Sequence, residues 1–407
     1  MEISLNKASP TIMHIDLNSC FATVEQQSHP HLRGKPIVIA AYPTPGGCIL
    51  ASSIEAKKLG IKTGMRVREG KEIYPDLIIR TADTVLIRDV NKKFRKICLE
   101  YSPEVVPKSI DEVVINFSET PSLDRGLINI GREIKKRFRE EIGEWISCNV
   151  GISTNRFLAK TAASLHKPDG LDVIDYRNLK EVYQKLSLTD LTGINTRFEF
   201  RLNQEGIFTP IDFLKASDNI LRKIVFKSIV GHYWYLRLRG FEVDDFKSER
   251  KSFGQEYSLK EKTDNLEKLK KIIMKLCEKM GRRLRQSNQF ASGIHLGILY
   301  QDYSFWHKSK KINKSISSTK NLFEEIMIIF FVQPKIKIIS KISVSCFSLN
   351  KNDNSQLTLI DMGEEKINKI SLALDEINDR FGEFAIAPAT MMEMKDVVID
   401  RIAFGKI

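Results

Sequence analysis

The feature that most constrains this chain is Ser109-Ile110-Asp111-Glu112 set directly against Val113-Val114-Ile115-Asn116-Phe117. A β-branched run of this kind reads as a buried strand. Two adjacent carboxylates at its mouth are costly to desolvate unless a cation holds them. Hard oxygen donors suit Mg²⁺ or Mn²⁺. Taken alone, the pattern also fits an ordinary exposed strand start, because Asp and Glu are common surface residues. A second acid bears on the choice. T-I-M-H-I-D at 11–16 reads as a strand ending in Asp16, and L-N-S-C-F-A-T-V-E-Q at 17–26 as a turn opening a helix, with Asn18 or Ser19 available as N-cap. A carboxylate delivered beside a helix N-terminus makes a pocket suited to phosphate and metal together.

Around these two stretches strands and helices alternate. Pro36–Ala40 and Leu77–Ile79 read as short strands, and Ser53–Leu59 as a short helix closed by Gly60. Residues 84–101 form an amphipathic helix, and a second, rich in Lys and Arg, spans about 124–142. Cys148–Ser153 is a strand, and Asn155–Leu165 a helix. The alternation predicts an α/β domain with a mixed sheet.

Residues 176–240 change character, with short helices split by Gly193, Gly206 and Gly231. Leu191-Thr192-Gly193-Ile194-Asn195 has the shape of a helix–hairpin–helix loop, which presents backbone N–H groups to a DNA phosphate. A plain helix–helix turn fits the same spacing. After a charged connector at 241–250, residues 251–349 read β-α-β-β-α-β, a compact independent module. Its first helix carries an apolar stripe (Leu266, Leu269, Ile273, Leu276, Met280, Leu284) and an opposite face of Lys268, Lys271, Lys275, Arg282 and Arg285. A polar linker at 351–355 leads to Gln356-Leu357-Thr358-Leu359-Ile360. A last helix carries Ile367, Ile370, Leu374, Ile377 and Phe381 and ends at Gly382.

Charge placement separates these regions. The net charge is +13, of which residues 251–350 hold +11, residues 1–250 hold +6 and residues 351–407 hold −4. The basic block is a candidate nucleic-acid surface, or else a solvated lysine-rich face. The six cysteines are scattered with no C-x-x-C pair, which points to free thiols in a reducing, cytoplasmic setting and away from zinc. Length suggests two to four domains. There is no secretory signal at the N-terminus and no run of apolar residues long enough to span a membrane.

H-I-D-L-N-S-C-F-A-T-V-E at 14–25, S-I-D-E at 109–112 and V-G-I-S-T-N-R-F-L-A-K-T-A-A at 150–163 together resemble, in order and spacing, the Y-family DNA polymerases, the DinB/UmuC group of lesion-bypass enzymes. The likeness runs from about residue 11 to 349. It implies an α/β (α+β multidomain) right hand: palm 1–19 and 85–175, fingers 20–84, thumb 176–240 with the helix–hairpin–helix, linker 241–250, little finger 251–349, and a tail 350–407. It implies a low-fidelity, template-directed enzyme without proofreading, acting in DNA repair and the SOS response. Asp16, Asp111 and Glu112 fall on the metal-binding carboxylates, and Leu17 where a backbone carbonyl joins them. Two Mg²⁺ ions, with Mn²⁺ as substitute, are implied as cofactors. Cys20, Phe21, Lys57 and Lys160 fall on nucleotide-contacting positions, Phe21 as the steric gate against ribose; outside the family it reads as a core aromatic. Gly193 and Asn195 fall on the DNA-contacting hairpin. S-F-G-Q-E at 252–256 looks like the start of the little finger. Gln356, Leu357, Leu359 and Ile360 resemble the peptide by which bacterial members bind the sliding clamp, a stretch that otherwise reads as a strand fragment. The implied partners are primer–template DNA, dNTP and the clamp, with a monomeric enzyme and accessory subunits left open.

Neighbours in a regular strand point to opposite faces, so Asp111 and Glu112 share a site only if the chain bends at the strand mouth. The sequence also departs from the pattern. Ile54 and Lys57 stand where many DinB-type members have Tyr and Arg, and Lys57 keeps the charge without the bidentate fork. The hairpin reads T-G-I-N for P-G-I-G, with Asn195 expected to tolerate positive φ. Ile360 replaces an aromatic, a loss of about 1 kcal/mol in a clamp pocket. A catalytically silent DNA- or clamp-binding homologue, and a cyclase-like nucleotidyl transferase, are the competing readings.

Overall fold

The computed structural model describes residues 3–245, 249–334, 337–351, 362–394 and 397–398. The chain divides into two compact units, residues 1–246 with 401–407 and residues 247–400.

The first unit opens with β1 (Ile12–Leu17), α1 (Cys20–Ser28), β2 (Ile37–Ala40) and β3 (Ile49–Ser52). Then come α2 (Ile54–Lys58), α3 (Val67–Ile73), β4 (Ile78–Arg80) and α4 (Thr84–Leu99). β5 (Val105–Pro107), β6 (Glu112–Asn116), α5 (Leu127–Arg137), β7 (Cys148–Ser153), α6 (Arg156–Leu165) and β8 (Leu171–Ile174) complete the sheet region. The remainder is helical: α7 (Leu179–Lys185), α8 (Thr196–Gln204), α9 (Pro210–Lys215), α10 (Asp218–Ile220) and α11 (Val230–Arg237).

The main sheet has the order β5-β6-β1-β7-β8, and a three-stranded sheet has the order β3-β2-β4. β1 lies centrally and antiparallel to both neighbours, so Asp16 stands opposite Glu112 on one side and Asn149 on the other. This central position explains its almost wholly buried, apolar sequence. One apolar core packs α1, α4 and α5 against this sheet. A small core joins the three-stranded sheet to its helices, and a third fills residues 157–238. Helix starts follow local chemistry. Asp83 caps α4 by accepting from Val85 and Leu86 N–H at 3.0 Å, and Asn155 caps α6 by accepting from Leu158 N–H at 2.7 Å. The helix expected over about 124–142 is instead a 3₁₀ turn (Pro121–Arg125), α5, and a π turn (Phe138–Ile142), because Gly126 at φ 79° interrupts it.

The second unit comprises β9 (Ser252–Thr263), α12 (Leu266–Gln286), β10 (Phe290–Tyr300), β11 (Phe305–Ile316), α13 (Thr319–Phe330), β12 (Ile339–Asn350) and α14 (Met362–Phe381). Up to β12 this is the β-α-β-β-α-β order, in a sheet β11-β10-β12-β9. The apolar stripe of α12 is core, as its spacing requires. Apart from Lys268, which stays exposed, the helix's basic face is largely shielded. The C-terminal segment covers it: Lys275 Nζ donates to the carbonyls of Met394 and Val397 at 2.5 Å, Lys271 pairs with Glu393, and Arg282 with Asp379. Arg285 makes a two-pronged bond to Asp375 at 2.6 and 2.8 Å, with both side chains at least nine-tenths buried. Met391, Met394 and Val398 join the unit's core. Residues 356–360, the candidate clamp peptide, lie outside the described residues.

Candidate functional site

A cavity of about 560 Å³ opens where β1 ends and α1 begins. Its walls include Asp16, Leu17, Asn18, Cys20 and Phe21 from the β1–α1 turn, Ile54 and Lys57 from α2, Asp111 and Glu112 from the mouth of β6, and Lys167 and Pro168. The turn is tight. Ser19 takes φ 49° and its side chain caps nothing; Thr23 Oγ1 reaches back to the Asn18 carbonyl at 2.9 Å instead.

The bend demanded of the two adjacent acids is present. β6 begins at Glu112, and residues 109–111 form a bend before it. The Asp111 carbonyl accepts from Leu17 N–H at 2.9 Å, tying the two acidic segments together, and Ser109 Oγ donates to Asp111 Oδ1 at 2.5 Å. Both acids therefore line one wall. Burial pushes the carboxyl of Asp111 above its ordinary pKa, with the charges of Asp16 and Glu112 adding to the rise. Burial raises Asp16 as well, opposed by Lys167.

Two lysines answer the three acids. Lys160 Nζ, on α6, donates to both oxygens of Glu112 at 2.9 Å, and Lys167 pairs with Asp16. Lys57 completes a basic rim, its ammonium pushed below its usual pKa by the surrounding walls and then by Lys167. Beneath the site, His14 is buried and held neutral, its pKa lowered to about 3 by burial first and then by Lys160, Lys167 and Lys108. The Cys20 thiol is pushed well up by burial and by the charges of Asp111 and Asp16.

Three carboxylates on one cavity wall are a donor set of hard oxygens, which fits a divalent ion such as Mg²⁺. With Asp16 and Glu112 each held by a lysine, no group of three or more His, Cys, Asp or Glu stands close enough to grip a metal among the described residues.

Phe21 is both core and wall: it is 2% exposed, packs in the sheet's core, and lines the cavity. Gly193 and Asn195 lie elsewhere in the unit. Gly193 takes φ 102°, and a β-carbon there would meet the Trp234 ring at 3.2 Å. Asn195 does not use positive φ. It sits at φ −103° as the N-cap of α8, accepting from Arg197 and Phe198 N–H at 3.1 Å, so its side chain satisfies the helix end.

Sequence reasoning missed Lys167. Lying between a helix and Pro168, it has no periodicity to mark it. The only local signal was H-K-P-D-G at 166–170, a loop signature shortly after the lysine helix.

A model of the impB/mucB/samB family matches residues 15–164, and one of that family's C-terminal domain matches residues 250–359. The chain belongs to the impB/mucB/samB family, the Y-family DNA polymerases, and is of the DinB type. It is thus a DNA-directed DNA polymerase, of a family that depends on divalent metal ions. It is 30% identical over 397 residues to DNA polymerase IV of Pelotomaculum thermopropionicum, covering 96% of this chain and 97% of the relative. It is 28% identical over 350 residues to DNA polymerase IV of Clostridium perfringens, covering 85% of this chain and 96% of the relative. Among solved structures it is similar to a Y-family polymerase chimera, Dbh-Dpo4(243-245)-Dbh, with a TM-score of 0.71 and 25% identity, covering 84% of this chain and 99% of that one.

Proposed function

We propose that this chain is a low-fidelity, template-directed polymerase that carries out translesion synthesis, adding dNTPs to a primer 3′ end by phosphoryl transfer in the cavity at the end of β1. The observation that carries the reading is the sharing of one cavity by Asp16, Asp111 and Glu112 with a rim of Lys57 and Lys167. Acids on one wall and cations on the rim are what a metal-bound triphosphate requires.

In this reading Asp16, Asp111, Glu112 and the Leu17 carbonyl would hold two Mg²⁺ ions, whose charge, when bound, would offset that of the phosphoryl group and favour ionisation of the 3′-hydroxyl. Lys57, Lys160 and Lys167 receive the triphosphate, Lys160 from its place beside Glu112. Phe21 and Cys20 floor the sugar pocket, where the ring excludes a 2′-hydroxyl. Residues 1–19 and 85–175 act as palm, 20–84 as fingers and 176–240 as thumb. Residues 241–250 act as linker and 251–349 as a little finger that grips DNA phosphates. The Gly193 turn meets the DNA backbone, residues 356–360 engage a sliding clamp, and the enzyme works as a monomer.

The test is primer extension with Mg²⁺ on undamaged and abasic templates, one nucleotide at a time, beside the Asp111→Ala/Glu112→Ala double variant. Extension that needs both a template and the acids is expected, and it continues past the abasic site. Extension that survives loss of both carboxylates would refute the assignment of the cavity.

A further inference from the structure

Lys167 is the one rim cation carried by a loop rather than a helix, so something must hold that loop in place. The answer runs through two buried amides. Asn149, 1% exposed, stands directly across from Asp16 on β7. Its Oδ1 accepts from the N–H of Gly170, three residues after Lys167, at 2.9 Å. That bond fixes which way the amide faces, so Nδ2 donates to Asn18 Oδ1 at 2.5 Å. Asn18, 5% exposed and itself a cavity wall, passes its own Nδ2 to Ser147 Oγ at 3.0 Å. Its carbonyl receives Thr23 Oγ1, which anchors the start of α1 and hence Phe21.

The relay therefore joins the three parts of the cavity that must keep register: the end of β1, the first turn of α1, and the Lys167 loop. On the far side of Gly170, its carbonyl accepts from Val150 N–H at 3.0 Å and from Lys135 Nζ at 3.3 Å. Asp169 is gripped by Lys135 and Arg139. Those ion pairs are partly exposed and screened by salt, whereas the amide pair is sealed.

We propose that Asn149, acting with Asn18, is a positioning residue for Lys167. It sets how firmly the enzyme holds the triphosphate of the incoming nucleotide, without touching the nucleotide itself. The inference rests on the cavity being the nucleotide site. Loss of the relay frees the loop, and Lys167 spends more of its time away from the cavity rim, in solvent.

The test is a double-mutant cycle in single-turnover extension, reading nucleotide Kd and rate separately. Lys167→Ala is expected to weaken Kd by about 10- to 100-fold, as for a charge-assisted contact. Asn149→Leu should weaken it by roughly 3- to 10-fold, with a much smaller change in rate, because the contact it supports is held in both ground and transition states. In the double variant Kd should be no weaker than with Lys167→Ala alone. Asn18→Ala, which keeps the Gly170 bond, should act in the same direction but less, and it carries the test if Asn149→Leu does not fold. Effects of Asn149→Leu and Lys167→Ala that simply multiply would overturn the positioning role while leaving the nucleotide site intact. An unchanged Kd in Lys167→Ala would instead sink the reading of the cavity, and the inference with it.

Discussion

Gly151 offers the sharpest test of how the sheet carries its lysine helix. It lies on β7 beneath α6, and its backbone is not left-handed, so only space restricts it. A β-carbon there would sit 2.0 Å from the Ala159 carbonyl oxygen and 2.2 Å from the Ala163 nitrogen. Those are helix backbone atoms that cannot rotate away. Ordinary contact needs roughly 3.5 Å, so α6 must lift by about 1 Å or more. A gap of that size forfeits a quarter to a half of the dispersion energy of each facing pair. The buried side of α6, including Phe157, Leu158, Ala159 and Ala162, faces that loss. Overpacking of this kind costs about 1–3 kcal/mol. At roughly 2–4 °C per kcal/mol for a unit of this size, Gly151→Ala should lower the first unit's Tm by about 2–12 °C. The lift also carries Lys160 away from Glu112, so extension should slow well beyond what the lost stability explains. Differential scanning calorimetry with parallel primer extension measures both. Gly46→Ala, with nothing within 4 Å, is the control and should change neither. A Gly151→Ala protein melting within 1 °C of the parent would refute the packing argument.

Three further outcomes follow from the geometry. Asp111 has its pKa raised on folding, so the native state binds more protons than the unfolded state and its ionised form opposes folding at neutral pH. Asp111→Asn should therefore raise Tm at pH 7 while abolishing extension, the gain shrinking as pH falls through the raised native pKa; a lower Tm at pH 7 would contradict this. Phe21→Ala should admit ribonucleotides in a single-nucleotide incorporation assay and, because the ring is 2% exposed, destabilise the first unit by about 3–5 kcal/mol in urea unfolding. Arg285→Ala leaves Asp375 and Glu278 buried without their cation and should cost the second unit about 3–5 kcal/mol, whereas Arg285→Met with Asp375→Leu should recover only part of it, because Glu278 stays buried.

Much of this was readable from residue order because local and tertiary demands agreed. The strand at 12–17, the bend at 109–111 and the capped helix after Asn155 each carry their own signal: a β-branched or apolar run, paired acids at its mouth, or an N-cap. What was hidden lacked such signals. Asn149 sits in a buried strand, and only its distant partners, the Gly170 N–H and Asn18, give it a purpose. Lys167 belongs to a loop, where position depends on distant anchors. The exposed lysines and histidine of β11 blur its alternation, and hydrogen bonding to β10 makes it a strand. The last helix carries no sequence sign of how it packs: Ile370 and Phe381 of its seam stay exposed, while Asp375 is buried on the cation Arg285 and Asn378 on the Ile386 backbone.

That arrangement bears on the DNA grip proposed for the second unit. Protein cations grip a duplex largely by displacing condensed counterions, and each one so engaged steepens the dependence of affinity on salt. Lys271, Lys275, Arg282 and Arg285 already have partners within their own chain and have no counterions to trade. The opposite face of the sheet presents Ser343 and Ser345 of β12 across from Glu256 and Gly254 of β9, with His295 and His307 close by, Lys311 on β11, and Lys341 paired with Glu256. Such a surface admits a backbone closely but releases few ions. The salt sensitivity of this polymerase should therefore be shallower than its net charge suggests, and set by a handful of lysines instead of the whole basic block.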